Sequence, residues 1–360
     1  MKRFVLLLGV LLVMASCNQK QSVNPDKLVY LTDDNIPPLQ TISFEQVDLP
    51  EDECMNSNFF VYDDSILIVC PLRPQTYCLT VMNINTKKII GRYLPRGNGP
   101  GEVMDCVFHL KQNRLIVNET TRKLIIIDMD SLLLSGQAYK PAVYQTGIDI
   151  VDVDVLTDTT FLFSNIWYMD GCGNKVNEAL PEFLVTGKDC QISFEVPEGA
   201  SAVCSVNASF LLTNTNLQKV FIAYSYKPQF TLLNSNLDTL KVIYGPDPLI
   251  KKQKFIEIGG ALFQDKISGY ATGYSISTDS KIFMGSVRLY NIPRKEYREV
   301  SHKNQGEIYQ FDWDGNMVAR YQMEKTHKFI GVCGYSEKSG ILYVEALDSN
   351  EEHALFKAQL

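Results

Sequence analysis

From about residue 41 to its C-terminus, the chain repeats one pattern: short runs rich in β-branched and aromatic residues, separated by turn residues. Phe59 to Tyr62, the turn Asp63-Asp64-Ser65, and Ile66 to Cys70 read as a hairpin. Leu79 to Ile84, the turn Asn85-Thr86, and Lys88 to Tyr93 read as the next. The pattern returns in Val107 to Leu110, Arg114 to Val117 and Leu124 to Asp128, and again across Val151 to Asn165. Phe210 to Leu212, Val220 to Tyr224 and Phe230 to Leu233 form a further group. So do Tyr274 to Ser277 with Lys281 to Met284 and Glu307 to Trp313, and finally Phe329 to Val332, Ile341 to Val344 and Ala354 to Ala358. No stretch holds a 3.6-residue period for long, so helices are excluded as the main element. Eighteen Tyr and eighteen Phe suit strands as well.

The groups number six, at about 50 to 57 residues each, which fits four-stranded propeller blades carrying insertions. The expected fold class is all-β, a six-bladed β-propeller closed by pairing of N- and C-terminal strands. Thr41 to Val47 is the natural strand to complete the blade that the C-terminus begins. A pair of β-sandwiches would need a linker near the middle, and the sequence offers none. The domain reading is 1–16 signal peptide, 17–40 lipidated tether, and 41–360 propeller. Two segments break the pattern: Trp167 to Glu182, and Gly245 to Gly273 with Pro246, Pro248 and the basic run Lys251-Lys252-Gln253-Lys254. Both read as long loops, the second with a short helix around Ile250 to Phe263. Loops on a rigid scaffold are where ligand contacts concentrate.

Met1-Lys2-Arg3 followed by an apolar run from Phe4 to Ala15 has the length of a signal-peptide core and is too short to span a bilayer. Met14-Ala15-Ser16-Cys17 resembles the lipobox read by the lipoprotein signal peptidase, with Met14 where Leu is commoner. The resemblance implies cleavage before Cys17 and a membrane anchor of several acyl chains on that cysteine. Asn18 to Ser22 lacks the acidic run of a surface-export signal, so an outer-membrane lipoprotein facing the periplasm is expected.

Removing residues 1–16 from the 360 leaves 344, ample for a large core. It also takes Lys2 and Arg3 away, moving the net charge from −7 to −9. A mildly acidic body without a basic run argues against nucleic acid. Eight cysteines remain beside Cys17: Cys54, Cys70, Cys78, Cys106, Cys172, Cys190, Cys204 and Cys333. None form Cys-x-x-Cys and several sit within apolar runs, so buried free thiols are expected. Cys172 and Cys190 are the one pair to test as a disulfide. The spacings match no zinc pattern, so no metal or other cofactor is expected.

Two stretches carry more than periodicity. One is Arg96-Gly97-Asn98-Gly99-Pro100-Gly101-Glu102; the other is Ile308 to Asn316 through Tyr321, followed by Gly340 to Val344. Together they resemble the TolB-like six-bladed β-propeller lipoproteins of gut-type Gram-negative anaerobes. There a Gly-x-Gly-Pro-Gly-Glu turn joins the first two blades, and a Phe-Asp-x-x-Gly-Asn hairpin lies in the fifth or sixth. The resemblance implies the fold and leaves function open, because propellers host many activities. By chemistry the motifs are structural. Gly97, Gly99 and Gly101 let the chain reverse, Glu102 accepts turn amides, and Asp314-Gly315 reads as a two-residue hairpin turn with Gly315 at positive φ. Pro100 and the absence of a following helix exclude a dinucleotide fingerprint.

The sequence holds no His-Glu-x-x-His, Gly-x-Ser-x-Gly or Walker loop. His109, in a strand after Phe108, reads as a satisfied core histidine. Val151-Asp152-Val153-Asp154-Val155 alternates, with its acidic face expected toward water. Asp312 to Asn316 departs from a calcium loop in its glycine position and missing terminal Glu. Asp-Ser/Thr-apolar triplets at Ser65, Ser131, Thr159 and Thr239 resemble O-glycosylation acceptors of the same bacteria, and equally suit hairpin turns. Two functional readings follow. The first is a monomeric, non-enzymatic binding or scaffolding propeller for a protein or glycan. Its ligand contacts would be Arg96, Glu102, Trp167, Tyr168, Lys251 and Lys252. The second is a hydrolase or lyase with its site in the central channel. Convergent His, Asp or Glu around a channel metal would separate them.

Overall fold

The structure is a computed structural model. It describes residues 24–54, 56–74, 76–99, 101–104, 106–119, 123–145, 150–157, 160–165, 168–169, 183–187, 201–202, 209–225, 227–246, 255–258, 261–269, 274–286, 289–296, 306–324 and 328–360.

Consecutive antiparallel strands build successive sheets, each beginning on its innermost strand. Sheet I runs Ser57–Tyr62, Ile66–Pro71, Tyr77–Asn83 and Ile89–Pro95. Sheet II runs Cys106–Lys111, Arg114–Glu119, Lys123–Asp128 and Ala142–Gln145. Sheet III has Ile150–Thr157, Thr160–Asn165 and Phe183–Gly187. Sheet IV has Ser209–Asn214, Lys219–Tyr224, Gln229–Asn234 and Thr239–Tyr244. Sheet V has Ser275–Ser277, Lys281–Ser286, Glu307–Asp312 and Met317–Met323. Sheet VI has Lys328–Tyr335, Ile341–Leu347 and His353–Gln359, with Glu45–Gln46 paired to the last of these. Five sheets therefore hold four or five strands, and sheet III holds three among the described residues. The fold is an all-β propeller.

These sheets are covered on both faces, which explains why their strands read as continuous apolar runs rather than strict alternation. In sheet I, Phe60, Ile68 and Val81 pack toward sheet II, while Phe59, Leu67, Val69 and Met82 pack toward sheet VI. Further clusters join II to III through Ile116 and Phe161, III to IV through Leu162 and Leu211, IV to V through Phe221 and Phe311, and V to VI through Phe283 and Val332. Phe59, Phe60, Phe221, Phe283, Phe311 and Phe356 are each at most 2% exposed. Burying each contributes about 2–3 kcal/mol before entropy is counted.

Several expectations change. Within the expected tether 17–40, Leu28–Tyr30 pairs parallel to Thr239–Tyr244 as an outer fifth strand on sheet IV. Leu39–Ile42 does the same beside Met317–Met323 on sheet V. The strand expected over Thr41 to Val47 is thus divided: its start joins sheet V, and only Glu45–Gln46 joins the C-terminal strand. Exposed edge amides on the outer strands offer ready partners for such segments. The helix expected around Ile250 to Phe263 is replaced by a hairpin of Phe255–Ile258 and Ala261–Gln264, whose β-branched and aromatic residues favour strand. A helix over Met129–Ser135, capped by Asp128 accepting from Ser131 N, extends sheet II instead. Cys54, Cys70, Cys78 and Cys333 are buried and Cys106 is half-buried, and none of the five is in a disulfide. Cys17, Cys172, Cys190 and Cys204 lie outside the described residues.

Candidate ligand-binding site at the mouth of the channel

One cluster of buried ionisable side chains lies on the inner strands of sheets II and III. His109 and Lys111 lie on the inner strand of sheet II, and Asp152 and Asp154 on that of sheet III. Both aspartates are buried rather than facing water as expected, and the reason is in sheet IV. Its inner strand is a sheet edge with unpaired amides, and such groups must be satisfied when buried. Leu211 N donates to Asp152 Oδ2 at 2.8 Å and Thr213 N to Asp154 Oδ2 at 2.8 Å. The other carboxylate oxygens accept from Val153 N and Val155 N at 2.8 and 2.7 Å. Lys111 Nζ sits 2.6 Å from Asp152 Oδ2 and donates to Leu211 O at 2.8 Å. His109 Nε2 stands 3.8 Å from Asp152 Oδ1, and burial holds its pKa below the usual imidazole value despite that neighbour. Burial likewise pushes Asp154 up to about 6, against the opposing pull of Lys111 and of its two amide donors.

This cluster has the composition of an acid–base site and the wiring of a structural one. A general base needs a lone pair aimed at a substrate proton. All four oxygens of these two aspartates are engaged by backbone amides, with Lys111 added at one of them. Among the described residues, no group of three or more His, Cys, Asp or Glu is arranged to hold a metal ion.

The accessible chemistry lies at one end of the axis. A cavity of about 390 Å³ is lined by Val61, Tyr62 and Asp63 of sheet I, Leu110 and Gln112 of sheet II, Ser277 to Asp279 of sheet V, and Tyr335 and Glu337 of sheet VI. Sheets I and V are not ring neighbours and neither are II and V, so a cavity that they share sits on the axis. Tyr274 closes in below by reaching from sheet V to Phe60 of sheet I, with ring centroids 5.3 Å apart and edge-to-face.

Hairpin turns that follow the inner strands build the mouth. Asp63, Asp64 and Gln112 hold positive φ, at 46°, 54° and 52°. Glu337 accepts from Thr278 Oγ1 and from both the amide and the hydroxyl of Ser280, and these donors, the Ser280 hydroxyl first, keep its carboxyl below the usual range. Lys281 Nζ donates to Tyr335 Oη at 2.7 Å and lies 4.6 Å from the centre of its ring. Tyr62 Oη donates to Asp130 Oδ1 at 2.7 Å. Gln112 Nε2 is buried without a hydrogen-bond partner among the described residues. The mouth thus presents carboxylates, phenols and an orphan amide donor, a set that recognises hydroxyl- and amide-bearing ligands.

The residues singled out in sequence fall elsewhere. The turn at Arg96 to Glu102 does join sheets I and II, closed by Gly97 N to Val103 O at 3.0 Å and Val103 N to Pro95 O at 3.0 Å. It lies at the opposite end of the sheets from the mouth, because it follows the fourth strand of sheet I. Glu102 Oε2 accepts from Gly99 N at 2.7 Å, which commits it to the turn. A Cβ at Gly97 would meet that oxygen at 2.0 Å, and Gly101 holds φ +80°. Arg96 is exposed. Tyr168 belongs to a short strand, Tyr168–Met169, paired with Ser201–Ala202. Trp167, Lys251 and Lys252 lie outside the described residues.

The Asp312 hairpin is in sheet V. Its loop is longer than the two residues expected, because Asp312 Oδ1 gathers the amides of Asp314 and Asn316, with Gly315 at φ +74°. Of the modification candidates, Ser131 is exposed on the helix; Ser65 and Thr239 are half-buried, and Thr159 lies outside the described residues. The mouth went unseen in sequence because its residues are ordinary turn formers; the isolated Glu337 and Gln112 carry no signal of their own.

A family model described as TolB-like 6-blade propeller-like matches residues 45–333. No curated protein matches the chain in sequence. Among solved structures, a protein of Bacteroides fragilis described as exported is 11% identical with a TM-score of 0.50, over 93% of this chain and 99% of that one. A member of the DUF4221 family from Bacteroides vulgatus is 8% identical with a TM-score of 0.53, over 89% and 96%. At such identities the likeness is one of fold.

Proposed function

The chain belongs to the TolB-like 6-blade propeller-like family, and on that premise we propose that it is an extracytoplasmic, lipid-anchored propeller that binds or scaffolds a protein or glycan without catalysing a reaction. The observation that carries this reading is that each carboxylate oxygen of Asp152 and Asp154 accepts from a backbone amide, of Leu211 and Thr213 in sheet IV or of Val153 and Val155 beside them, which commits the buried acids to structural bonds rather than to a substrate proton. The mouth lined by Tyr62, Gln112, Thr278, Tyr335 and Glu337 supplies the binding chemistry. In this reading the ring has six blades with sheet III as the third, and Glu45–Gln46 beside the C-terminal strand closes it. The hydrophobic cluster between sheets VI and I and the bond from Phe59 N to Glu345 Oε2 support that closure. Cys17 is the lipidated residue, and the propeller faces the periplasm from the outer membrane. Arg96 lies on the opposite face, available for a second contact.

Site-specific photo-crosslinkers in place of Asp279 or Lys338, both exposed beside the mouth, test the binding reading in growing cells. Discrete adducts are expected there and not from the exposed Leu134 on the helix of sheet II. Turnover of a glycan or peptide panel by the purified protein, lost on Asp152→Asn with the fold intact, would overturn it. Replacing Cys17 by serine is expected to move the protein from the membrane fraction to the soluble one. Retention on the membrane would remove the anchor from this picture.

A further inference from the structure

A second cavity, about 520 Å³, opens on the flank of the propeller between the outer strands of sheets I and II. Its inner wall is apolar, from Leu94, Ile125, Ile127 and Leu132. Tyr77 and Val143, among the more exposed large apolar side chains of the protein, continue that wall to the surface. The charged residues around it are all cations: Arg92, Lys123 and Lys140. Lys123 is engaged by Glu119 at 3.0 Å and by Glu102 O at 3.0 Å. Lys140, exposed just before Ala142–Gln145, forms no ion pair among the described residues.

One further observation points to an occupant. Tyr93, a lining residue 9% exposed, has its hydroxyl buried without a hydrogen-bond partner among the described residues. Such a hydroxyl is ordinarily satisfied, since leaving it bare is unfavourable. It lies over Gly91, where a Cβ would meet Tyr93 Oη at 2.5 Å and Gln137 Nε2 at 2.6 Å. Glycine at 91 therefore makes room for the phenol and the Gln137 amide to converge at the cavity edge. Gln137 is exposed and free to swing aside, which would open the phenol to a ligand oxygen.

We propose that this flank cavity is a binding site for a small amphipathic anion, its hydrocarbon body against Leu94, Ile125, Ile127 and Leu132 and its acid group between Lys140 and Arg92, within reach of the Tyr93 hydroxyl. A cavity of this size with an apolar wall and a few convergent polar groups is the usual form of a small-molecule site. The cationic rim selects against neutral amphiphiles, and the enclosed flank selects a free molecule over a lipid packed in a bilayer. The site is independent of the channel mouth.

Decanoate is a suitable probe, measured by isothermal titration against the full mature chain carrying Cys17→Ser so that no acyl chain of its own competes. Saturable binding of one equivalent is expected, with decanol at least tenfold weaker. Lys140→Glu, an exposed change that leaves the fold alone, should weaken decanoate at least fivefold and leave decanol unaffected. Val143→Trp should abolish both by filling the opening, and Tyr93→Phe should weaken decanoate at unchanged Tm. The proposal is overturned if the wild type shows no saturable binding, if decanoate and decanol bind alike, or if Val143→Trp binds as the wild type does. Decanoate bound equally by the Lys140→Glu protein would also overturn it.

Discussion

Lys111→Met isolates the charge that holds three blades together. The lysine is 5% exposed and its carboxylate partner Asp152 1%, with 2.6 Å between Nζ and Oδ2. At an effective dielectric near 20, their attraction is roughly 6 kcal/mol. Methionine keeps the length and apolar bulk, so no cavity term enters. What remains is a buried carboxylate without its cation and Leu211 O without its donor. Removing one member of a buried pair typically destabilises by about 3–5 kcal/mol, and the amides of Leu211 and Val153 still on Asp152 favour the lower half of that range. Urea unfolding followed by tryptophan fluorescence should show the midpoint falling with an unchanged slope. The Lys111→Met/Asp152→Asn pair should be less destabilised than the two single changes summed, because the asparagine NH2 can donate to Leu211 O while its oxygen keeps an amide. A loss below about 1 kcal/mol for Lys111→Met would refute the claim that this pair is desolvated and structural.

Asp154 gives a pH signature. Its folded pKa of about 6 lies above the unfolded value near 3.8, so the folded state binds the proton more tightly, and this group's contribution is full below the unfolded pKa and lost as pH rises through 6. The stability of wild type relative to Asp154→Asn should therefore rise by roughly 2 kcal/mol between pH 7 and pH 4; a flat difference would show that burial does not raise the pKa of this carboxyl. Gly97→Ala should cost about 1–2 kcal/mol in chemical unfolding by driving Glu102 off the Gly99 amide, and most of that penalty should vanish on a Glu102→Ala background. Gly101→Ala, with open space around its Cβ position and φ +80°, should cost about 1 kcal/mol on either background. Trp313→Phe should cost about 2 kcal/mol in the same assay, since Nε1 donates to Thr278 O at 2.9 Å and the ring is 3% exposed.

The strands of sheets I, IV and VI were legible because both faces of each are covered, so Ile66 to Cys70 or Val220 to Tyr224 reads as strand whichever way it is turned. The glycine turn was legible too, since close approach by Glu102 and a positive φ at Gly101 leave few residue choices. Asp152 and Asp154 were not. Alternation of Val and Asp looks the same whether the acids face water or cap a neighbouring edge, and only the placement of Leu211 and Thr213 decides between them. The added strands Leu28–Tyr30 and Leu39–Ile42 are short and largely exposed, so neither periodicity nor burial marks them. The mouth was hidden for another reason: Asp63, Gln112, Thr278 and Glu337 come from turns of four different sheets, and each alone is an unremarked turn residue.

The buried acids share one logic that bears on how such a ring finds its order. The inner strand of a sheet is an edge, and the amides on its open side must find acceptors outside the sheet when they are buried. At the seam between sheets III and IV, Asp152 and Asp154 cap that edge; between sheets VI and I, Glu345 accepts from Phe59 N and pairs with His353. Between V and VI, the cap is a backbone carbonyl, Tyr274 O accepting from Val332 N at 3.3 Å. Apolar packing between blades tolerates many partners, because Phe and Ile faces are alike from one seam to the next. A carboxylate that must meet a given pair of amides tolerates one. Burial of Asp154 and Glu345 raises both pKa values although the hydrogen bonds pull the other way, so placing a charged acid at each seam costs stability. The return is specificity, with sheet IV recognised by two aspartates and sheet I by one glutamate, and the acids that resemble a catalytic set are those that put the blades in order.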